Sequence, residues 1–312
     1  MSEHKKVVLF GAGKVGRRCF YNLIKKFDIV AVIDNNKELI GKKFEKNIPI
    51  IGLDDYVKKY RNCEILITLM KDEEVKEQLE QIGIHNYHVP SDVFACEDVP
   101  TDEIINHDNW RKYLQEHFNV EGMEILEVGS RNVVGGVTRD LFSKANYTGF
   151  DYYDGENVDV VGDAHELSKY FDKRFDLIFS SAVFEHLAMP WKVSTEIIKL
   201  LKPGGYVFIE THYSYISHER PWHFFQFSEN AIDLLFPEKF GMKCLRKGCC
   251  NLVEGYFSKD YASEYLKGRA VNGLYCHAEY LGQKQIDVDN LSWDSICLKD
   301  VVGATKYPYP SK

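Results

Sequence analysis

The residues best suited to chemistry begin with one glycine and one aspartate near mid-chain. Glu124-Ile125-Leu126-Glu127-Val128 is a short apolar run carrying an acidic residue; it breaks at Gly129 and is expected to reopen as a helix through Ser130-Arg131-Asn132-Val133-Val134-Gly135-Gly136. A second apolar piece, Tyr147-Thr148-Gly149-Phe150, ends on Asp151, at a separation of 151 − 129 = 22 residues. Such a strand–loop–helix–strand unit lets a ligand approach bare backbone at the glycine. The aspartate, at the spacing of about 20 residues seen in dinucleotide folds, can accept two hydrogen bonds from a ribose diol. The loop lacks the second glycine of G-x-G-x-x-G, which favours an adenosine without phosphates over a pyrophosphate. A further carboxylate, Asp163, ends the run Val158-Asp159-Val160-Val161-Gly162 and precedes Ala164. It can accept from an exocyclic amine while the next backbone N–H donates to a ring nitrogen, which is how adenine is read.

The same pattern occurs once earlier. Lys5 to Phe10 is a parallel-type strand, Gly11-Ala12-Gly13-Lys14-Val15-Gly16 is a full G-x-G-x-x-G, and Arg17 to Lys26 reads as the helix. Ile29 to Ile33 is the second strand and ends on Asp34, 34 − 11 = 23 residues on. Strands at Glu64 to Leu69 and Asn86 to Val89, with a helix at Glu73 to Ile82, complete the unit. Gly11, Gly13, Gly16, Asp34 and Asn35 are the candidate lining of a nucleotide or nucleotide-sugar pocket. A structural or dimerising module with an empty loop is the alternative, because the unit is short and carries no obvious hydride-transfer residues.

Length and charge bound the rest. At about 100–200 residues per domain, 312 residues suggest two domains. We place a small Rossmann-like unit at 1–98, a helical linker at 99–122 and a second α/β unit at 123–312. In the linker, Trp110, Tyr113, Leu114 and Phe118 recur at helical spacing. A net charge of −8 provides no basic field, so neither nucleic acid nor an anionic membrane is an expected partner. The polar start predicts no export signal, and no apolar run reaches the roughly 18 residues of a membrane span. Eight scattered cysteines without C-x-x-C fit reduced thiols and a cytoplasmic location.

In the second unit, Phe175 to Ser181 reads as a strand, Trp191 to Leu201 as an amphipathic helix stopped by Lys202-Pro203-Gly204-Gly205, and Tyr206 to Glu210 as the next strand. Late strands are expected near Met242 to Cys250 and Leu274 to Gly282, the latter as an antiparallel edge hairpin. Tyr307-Pro308-Tyr309-Pro310 is expected as a surface strap. Four segments in order, Glu-Val-Gly-Ser-Arg-Asn, Gly-Asp-Ala-His-Glu-Leu, Phe-Asp-Leu-Ile-Phe-Ser-Ser-Ala-Val-Phe-Glu-His-Leu and Leu-Lys-Pro-Gly-Gly, resemble class I S-adenosylmethionine-dependent methyltransferases. The resemblance is to a bacterial branch that also carries a segment like Arg220-Pro221-Trp222-His223-Phe224-Phe225-Gln226-Phe227. It implies a seven-stranded sheet, S-adenosylmethionine as cofactor and S-adenosylhomocysteine as product. Glu127, Gly129 and Ser130 would then border the methionine part, Asp151 and Tyr152 the ribose, Asp163 and Ala164 the adenine, and Ser181 the sulfonium. Residues 5–90 resemble small Rossmann modules at the front of bacterial polysaccharide-modifying enzymes, some of which hold a nucleotide-sugar there.

Methyl transfer from an activated sulfonium needs mainly alignment, but a hydroxyl acceptor also loses a proton, for which histidine is suited near neutrality. His186, just past the Phe175 to Ser181 strand, is the first candidate base and His223 the second. His212, Tyr213, Arg220 and Trp222 are candidate acceptor contacts, with Trp222 able to stack on a sugar face. His212, His218 and His223 match no standard metal-ligand spacing, so no metal site is expected. The implied activity is O-methylation of a sugar, sugar-nucleotide or other surface-glycan precursor by a cytoplasmic enzyme that can form a homo-oligomer. The alternatives are an NAD(P)-linked oxidoreductase of sugar-nucleotide metabolism and a non-catalytic small-molecule sensor.

Overall fold

Buried apolar runs alternate with helices along the chain and assemble into two separate sheets. A computed structural model describes residues 4–94, 99–133, 135, 138–271 and 273–301. The chain divides into two compact units, one of Met1–Glu97 with Leu252–Leu274 and the other of Asp98–Asn251 with Tyr275–Lys312.

The first unit runs β1 (Lys6–Phe10), α1 (Lys14–Leu23), β2 (Asp28–Ile33), β3 (Ile50–Ile51), α2 (Leu53–Lys59), β4 (Glu64–Ile67), α3 (Glu73–Gln81) and β5 (Tyr87–His88). The strands pair in parallel in the order β3-β2-β1-β4-β5. Val7 and Leu9 face one core and Val8 and Phe10 the other, which is why β1 is continuously apolar. Helix α1 starts at Lys14, three residues before the expected Arg17, because the glycine loop passes directly into it. A Cβ built on Gly16 would stand 1.9 Å from the Gly11 carbonyl oxygen, so only glycine lets α1 press this closely on the loop.

The second unit begins earlier than its sequence pattern suggests. The segment expected as a linker carries α4 (Trp110–Phe118), whose Trp110, Leu114 and Phe118 are buried with Ile125, Phe142, Phe179 and Phe208. Those apolar groups make 99–122 part of the second core rather than a tether. There follow β6 (Glu124–Val128), β7 (Asn146–Asp151), β8 (Val160–Val161), β9 (Phe175–Ser181), α5 (Pro190–Leu200), β10 (Leu201–His212), α6 (Glu229–Leu235) and β11 (Met242–Leu252). The chain then departs to the first unit through β12 (Gly255–Tyr256) and β13 (Ala270–Val271), an antiparallel pair, and returns as β14 (Tyr275–Lys284).

The sheet order is β11-β14-β10-β9-β6-β7-β8, with β14 antiparallel to β10 and the pairings among β6 to β10 parallel. This is the α/β architecture expected: one seven-stranded sheet of class I methyltransferase type and one parallel five-stranded sheet. One local expectation fails: β14 lies inside the sheet, and β11 takes the edge instead. The helix expected after Gly129 falls partly on residues 134, 136 and 137, which lie outside the described residues. The Asn132 side chain accepts the Gly135 N–H at 2.9 Å and donates to Glu156, and a 3₁₀ turn lies at Thr138–Phe142. No helix among the described residues is long and apolar enough to cross a membrane. Gly136 and the strap at 307–310 lie outside the described residues.

Candidate active site

The C-terminal ends of β6, β7 and β9 open where the strand order reverses, the usual ligand crevice of such a sheet. Gly129 sits there at φ +85°, and a Cβ on it would meet Val183 Cγ2 at 2.1 Å. The N–H groups of Gly129 and Ser130 both bond the Phe150 carbonyl, at 2.8 and 3.0 Å, tying the loop to β7. Asp151 is braced from two sides: Oδ2 accepts the Arg131 N–H at 3.1 Å and Oδ1 the Tyr153 N–H at 3.0 Å. Each oxygen keeps a lone pair for a diol. The Ser130 hydroxyl is buried with no hydrogen-bond partner.

Asp163 caps the turn after it, accepting from the His165 N–H and ring at 2.9 and 2.6 Å, with Ala164 buried beneath. Tyr152 is exposed and its ring lies edge-on to Trp222 at 5.4 Å. These features fit an adenosyl donor: a cradle that a Cβ would fill, an orphaned buried hydroxyl, and a strand-tip carboxylate fixed by backbone. Asp151 would hold the ribose hydroxyls and Asp163 with Ala164 the adenine.

Three residues near the loop are engaged otherwise than a direct cofactor contact requires. Glu127 is buried and bonded to the Tyr147 hydroxyl, with Asn157 beyond; burial pushes its carboxyl up to about 7. It therefore faces an internal network beside the loop. Ser181 donates its hydroxyl to Glu210 Oε2 at 2.5 Å. Arg131, in place of a loop glycine, packs on Gly155 and brings Nε to 3.8 Å from Asp151 Oδ1.

Beside the crevice, the ends of β9 and β10 gather histidines. Ala182 adopts φ +54°, a left-handed conformation rare for alanine, and turns the chain from β9 toward Phe184-Glu185-His186. Glu185 is fully buried; Oε2 accepts from Thr211 Oγ1 at 2.5 Å, and Oε1 lies 2.7 Å from His212 Nδ1. Burial pushes the Glu185 carboxyl up, but His212 and Thr211 outweigh it and hold the group below its ordinary range. His186 donates Nδ1–H to the Trp222 carbonyl at 3.1 Å, and His218 donates Nδ1–H to the Ile216 carbonyl at 2.9 Å. His223 accepts the His218 backbone N–H on Nδ1, which places its own proton on Nε2. Tyr213 turns away, its N–H on the Cys276 carbonyl and its ring toward Tyr275. Arg220 is exposed.

Sequence reasoning misses Glu185 as the anchor of this cluster, and also the neighbouring trio of His107, Glu210 and His277. His107 Nδ1 meets Glu210 Oε1 at 2.5 Å and stacks on His277 at 4.0 Å. Glu185 stands within the Phe-Glu-His-Leu segment that carries the family resemblance, so a signal exists. His107 and His277 come from segments 170 residues apart (277 − 107) and carry none.

In the first unit, Asp34 repeats the bracing: Oδ2 accepts the Ala12 N–H and Oδ1 the Asn36 N–H, both at 2.8 Å. Gly13 caps α1 with open space where its Cβ would be. Asn35 donates its side-chain amide to Gln78 on α3 at 3.0 Å.

Comparison with known proteins agrees with this division. Residues 126–209 match the family model described as methyltransferase domain, and residues 3–90 match one described as C2185-like, N-terminal. Two curated relatives are both named tRNA U34 carboxymethyltransferase. One, from Campylobacter curvus, is 26% identical over 132 residues, 36% of this chain and 44% of its own length. The other, from Nautilia profundicola, is 26% identical over 168 residues, 48% and 54% respectively. The chain thus spans about half the length of these relatives. Among solved structures, a Burkholderia thailandensis 1,6-didemethyltoxoflavin-N1-methyltransferase with bound S-adenosylhomocysteine is 14% identical over 56% of this chain and 76% of its own, with a TM-score of 0.39. Magnesium protoporphyrin IX methyltransferase from Synechocystis PCC 6803, with bound S-adenosylmethionine, is 13% identical over 57% and 77%, with a TM-score of 0.37.

Residues 126–209, within the seven-stranded unit, match a methyltransferase domain, and the strand order of that unit is of class I type. S-adenosylmethionine is the donor that the crevice residues would hold.

Proposed function

We propose that this chain methylates an oxygen of a small hydroxyl-rich acceptor, a sugar or sugar-nucleotide used in surface-glycan assembly, in the cytoplasm. The observation that carries the reading is the pairing, beside the donor crevice, of an exposed aromatic edge with a cluster of imidazoles. Trp222 and Tyr152, 44% and 51% exposed, offer a face for a sugar ring. His186, its Nδ1–H held by the Trp222 carbonyl, keeps Nε2 available to the acceptor proton. The bound donor supplies an already activated methyl group. The chain's own residues would hold the ribose at Asp151, align the acceptor on the aromatic edge and receive its proton at the histidine cluster. The first unit, with its helix-opening glycine loop, suits a nucleotide or nucleotide-sugar of its own.

The relatives' name favours a second reading, in which the acceptor is a tRNA base. Against it stands the net charge of −8, which gives no field for a polyanion. The full chain incubated with S-adenosylmethionine and, separately, nucleotide-sugars or bulk tRNA decides by mass spectrometry. A methylated nucleotide-sugar is expected; modification of tRNA alone would overturn the sugar reading.

A further inference from the structure

We propose that Glu185, His186 and His218, with His212 as a fourth donor, form a binding site for a borderline divalent cation of the zinc class. Three ligand atoms, one from each of Glu185, His186 and His218, lie within 4.8 Å of one another. Proximity alone would be weak, but the hydrogen bonding is arranged for a cation.

Both His186 and His218 donate Nδ1–H to backbone carbonyls, at 3.1 and 2.9 Å. This fixes the tautomer that presents an unprotonated Nε2, the outer-sphere pattern that orients metal-bound histidines. Glu185 is fully buried, and its Oε2 is fixed by Thr211. Its Oε1, and His212 Nδ1 facing it at 2.7 Å, are buried without a hydrogen bond of acceptable direction. A buried carboxylate oxygen and imidazole nitrogen, close but misaligned for a proton, are what a shared cation would leave.

The neighbouring trio provides an internal control. His107, Glu210 and His277 also bring their donor atoms within 4.8 Å. Yet there His107 bonds Glu210 directly, Ser181 takes the other oxygen, and the Asn251 amide faces His277 Nδ1 at 3.0 Å. That set is joined by hydrogen bonds. In the Glu185 set the corresponding pair, His212 Nδ1 and Glu185 Oε1, lies 2.7 Å apart with neither atom in a hydrogen bond.

Three imidazoles and one carboxylate suit zinc and its first-row neighbours and do not suit magnesium or calcium, which take oxygen ligands. The sequence alone predicts no metal because the donors come from one adjacent pair and two residues 26 and 32 positions on (212 − 186, 218 − 186), a spacing that matches no short motif. At the ends of β9 and β10 such a cation would hold an acceptor oxygen and make its hydroxyl more acidic; with His186 Nε2 then a ligand, the cation rather than His186 would promote loss of the acceptor proton. That use rests on the methyl-transfer reading, whereas the site does not.

The test uses the full chain stripped with chelator and titrated with Co²⁺, monitored by visible absorption and then displaced with Zn²⁺. Stoichiometric Co²⁺ uptake, displaced by Zn²⁺, is expected in the wild-type chain. His218→Ala, at a half-buried position, is expected to weaken uptake at least about 10-fold, as is Glu185→Gln where it folds. His107→Ala is expected to bind as wild type. Absence of stoichiometric uptake, or undiminished uptake by His218→Ala, overturns the proposal. S-adenosylhomocysteine is titrated separately into stripped chain; failure there counts against the donor crevice and leaves the cation site standing.

Discussion

The two glycine loops of this chain share one device and part company immediately after it. In both, the aspartate at the tip of the second strand accepts a backbone N–H from the loop and another from the residue two positions on: Ala12 and Asn36 for Asp34, Arg131 and Tyr153 for Asp151. The first loop then runs directly into α1, capped by Gly13. In the second, Ser130 and Arg131 lead instead to Asn132, whose side chain accepts the Gly135 N–H, and a 3₁₀ turn lies at Thr138–Phe142. A helix start such as that of α1 supplies unpaired N–H groups and a partial positive charge suited to phosphate. If both acids hold a ribose, the backbone past the first glycine suits a phosphate as well. The strands differ too. Two positions before the glycine, β1 carries buried Leu9 and β6 carries buried Glu127.

The largest expected effect separates the two aspartates. Asp151→Ala should raise the dissociation constant of S-adenosylhomocysteine at least about 100-fold, since two hydrogen bonds to a charged group, roughly 1.5–3 kcal/mol each, are lost. Asp34→Ala should change it less than about 2-fold. Calorimetric titration reads both, with thermal melts confirming that each variant folds. Equal effects would dissolve the division of labour.

Next comes Glu127, for which β1 has no counterpart. Burial raises its carboxyl from 4.5 to about 7, so the folded state favours the protonated form. The associated stability is fully present below the unfolded value near 4.5 and is lost as pH rises through 7. The loss is roughly 3 kcal/mol, from (7 − 4.5) at about 1.36 kcal/mol per pH unit. Denaturant melts of Glu127→Gln should match wild type near pH 5 and exceed it near pH 8. A variant no more stable than wild type at the higher pH would mean that the Tyr147 and Asn157 contacts outweigh burial.

Gly16→Ala probes the first unit. With a Cβ 1.9 Å from the Gly11 oxygen, α1 must shift, at about 1–3 kcal/mol of destabilisation. S-adenosylhomocysteine affinity should be untouched. Loss of that affinity would show that the two units are not independent in binding.

Much of this is legible in the sequence because local chemistry dictates it. The apolar run alone bounds Phe175–Ser181 correctly, and the glycines before Asp34 and Asp151 follow from strand–loop spacing. Other features depend on partners far along the chain. The stripe of Trp110, Leu114 and Phe118 announces a buried face, yet not that Phe179 and Phe208 cover it. His212 stands opposite His277 only because β14 returns antiparallel to β10 after the excursion of Leu252–Leu274. Glu185 looks in sequence like any helix-start acid; its burial is a property of the β9–β10 junction.

The smallest expected effect tests the cause of the difference between the loops. Arg131 occupies the position that Gly13 holds in the first loop, two residues past the leading glycine. Its guanidinium is partly exposed and 3.8 Å from Asp151, a pairing worth under about 1 kcal/mol. Arg131→Gly rebuilds the G-x-G spacing and retains the backbone N–H that braces Asp151, so S-adenosylhomocysteine affinity should fall less than about 5-fold. If the backbone past Gly129, rather than the arginine, is what disfavours phosphate, the variant should gain no affinity for ADP. Tight ADP binding by Arg131→Gly, measured against the same protein's S-adenosylhomocysteine affinity, would instead make that one side chain the selector between the two kinds of ligand.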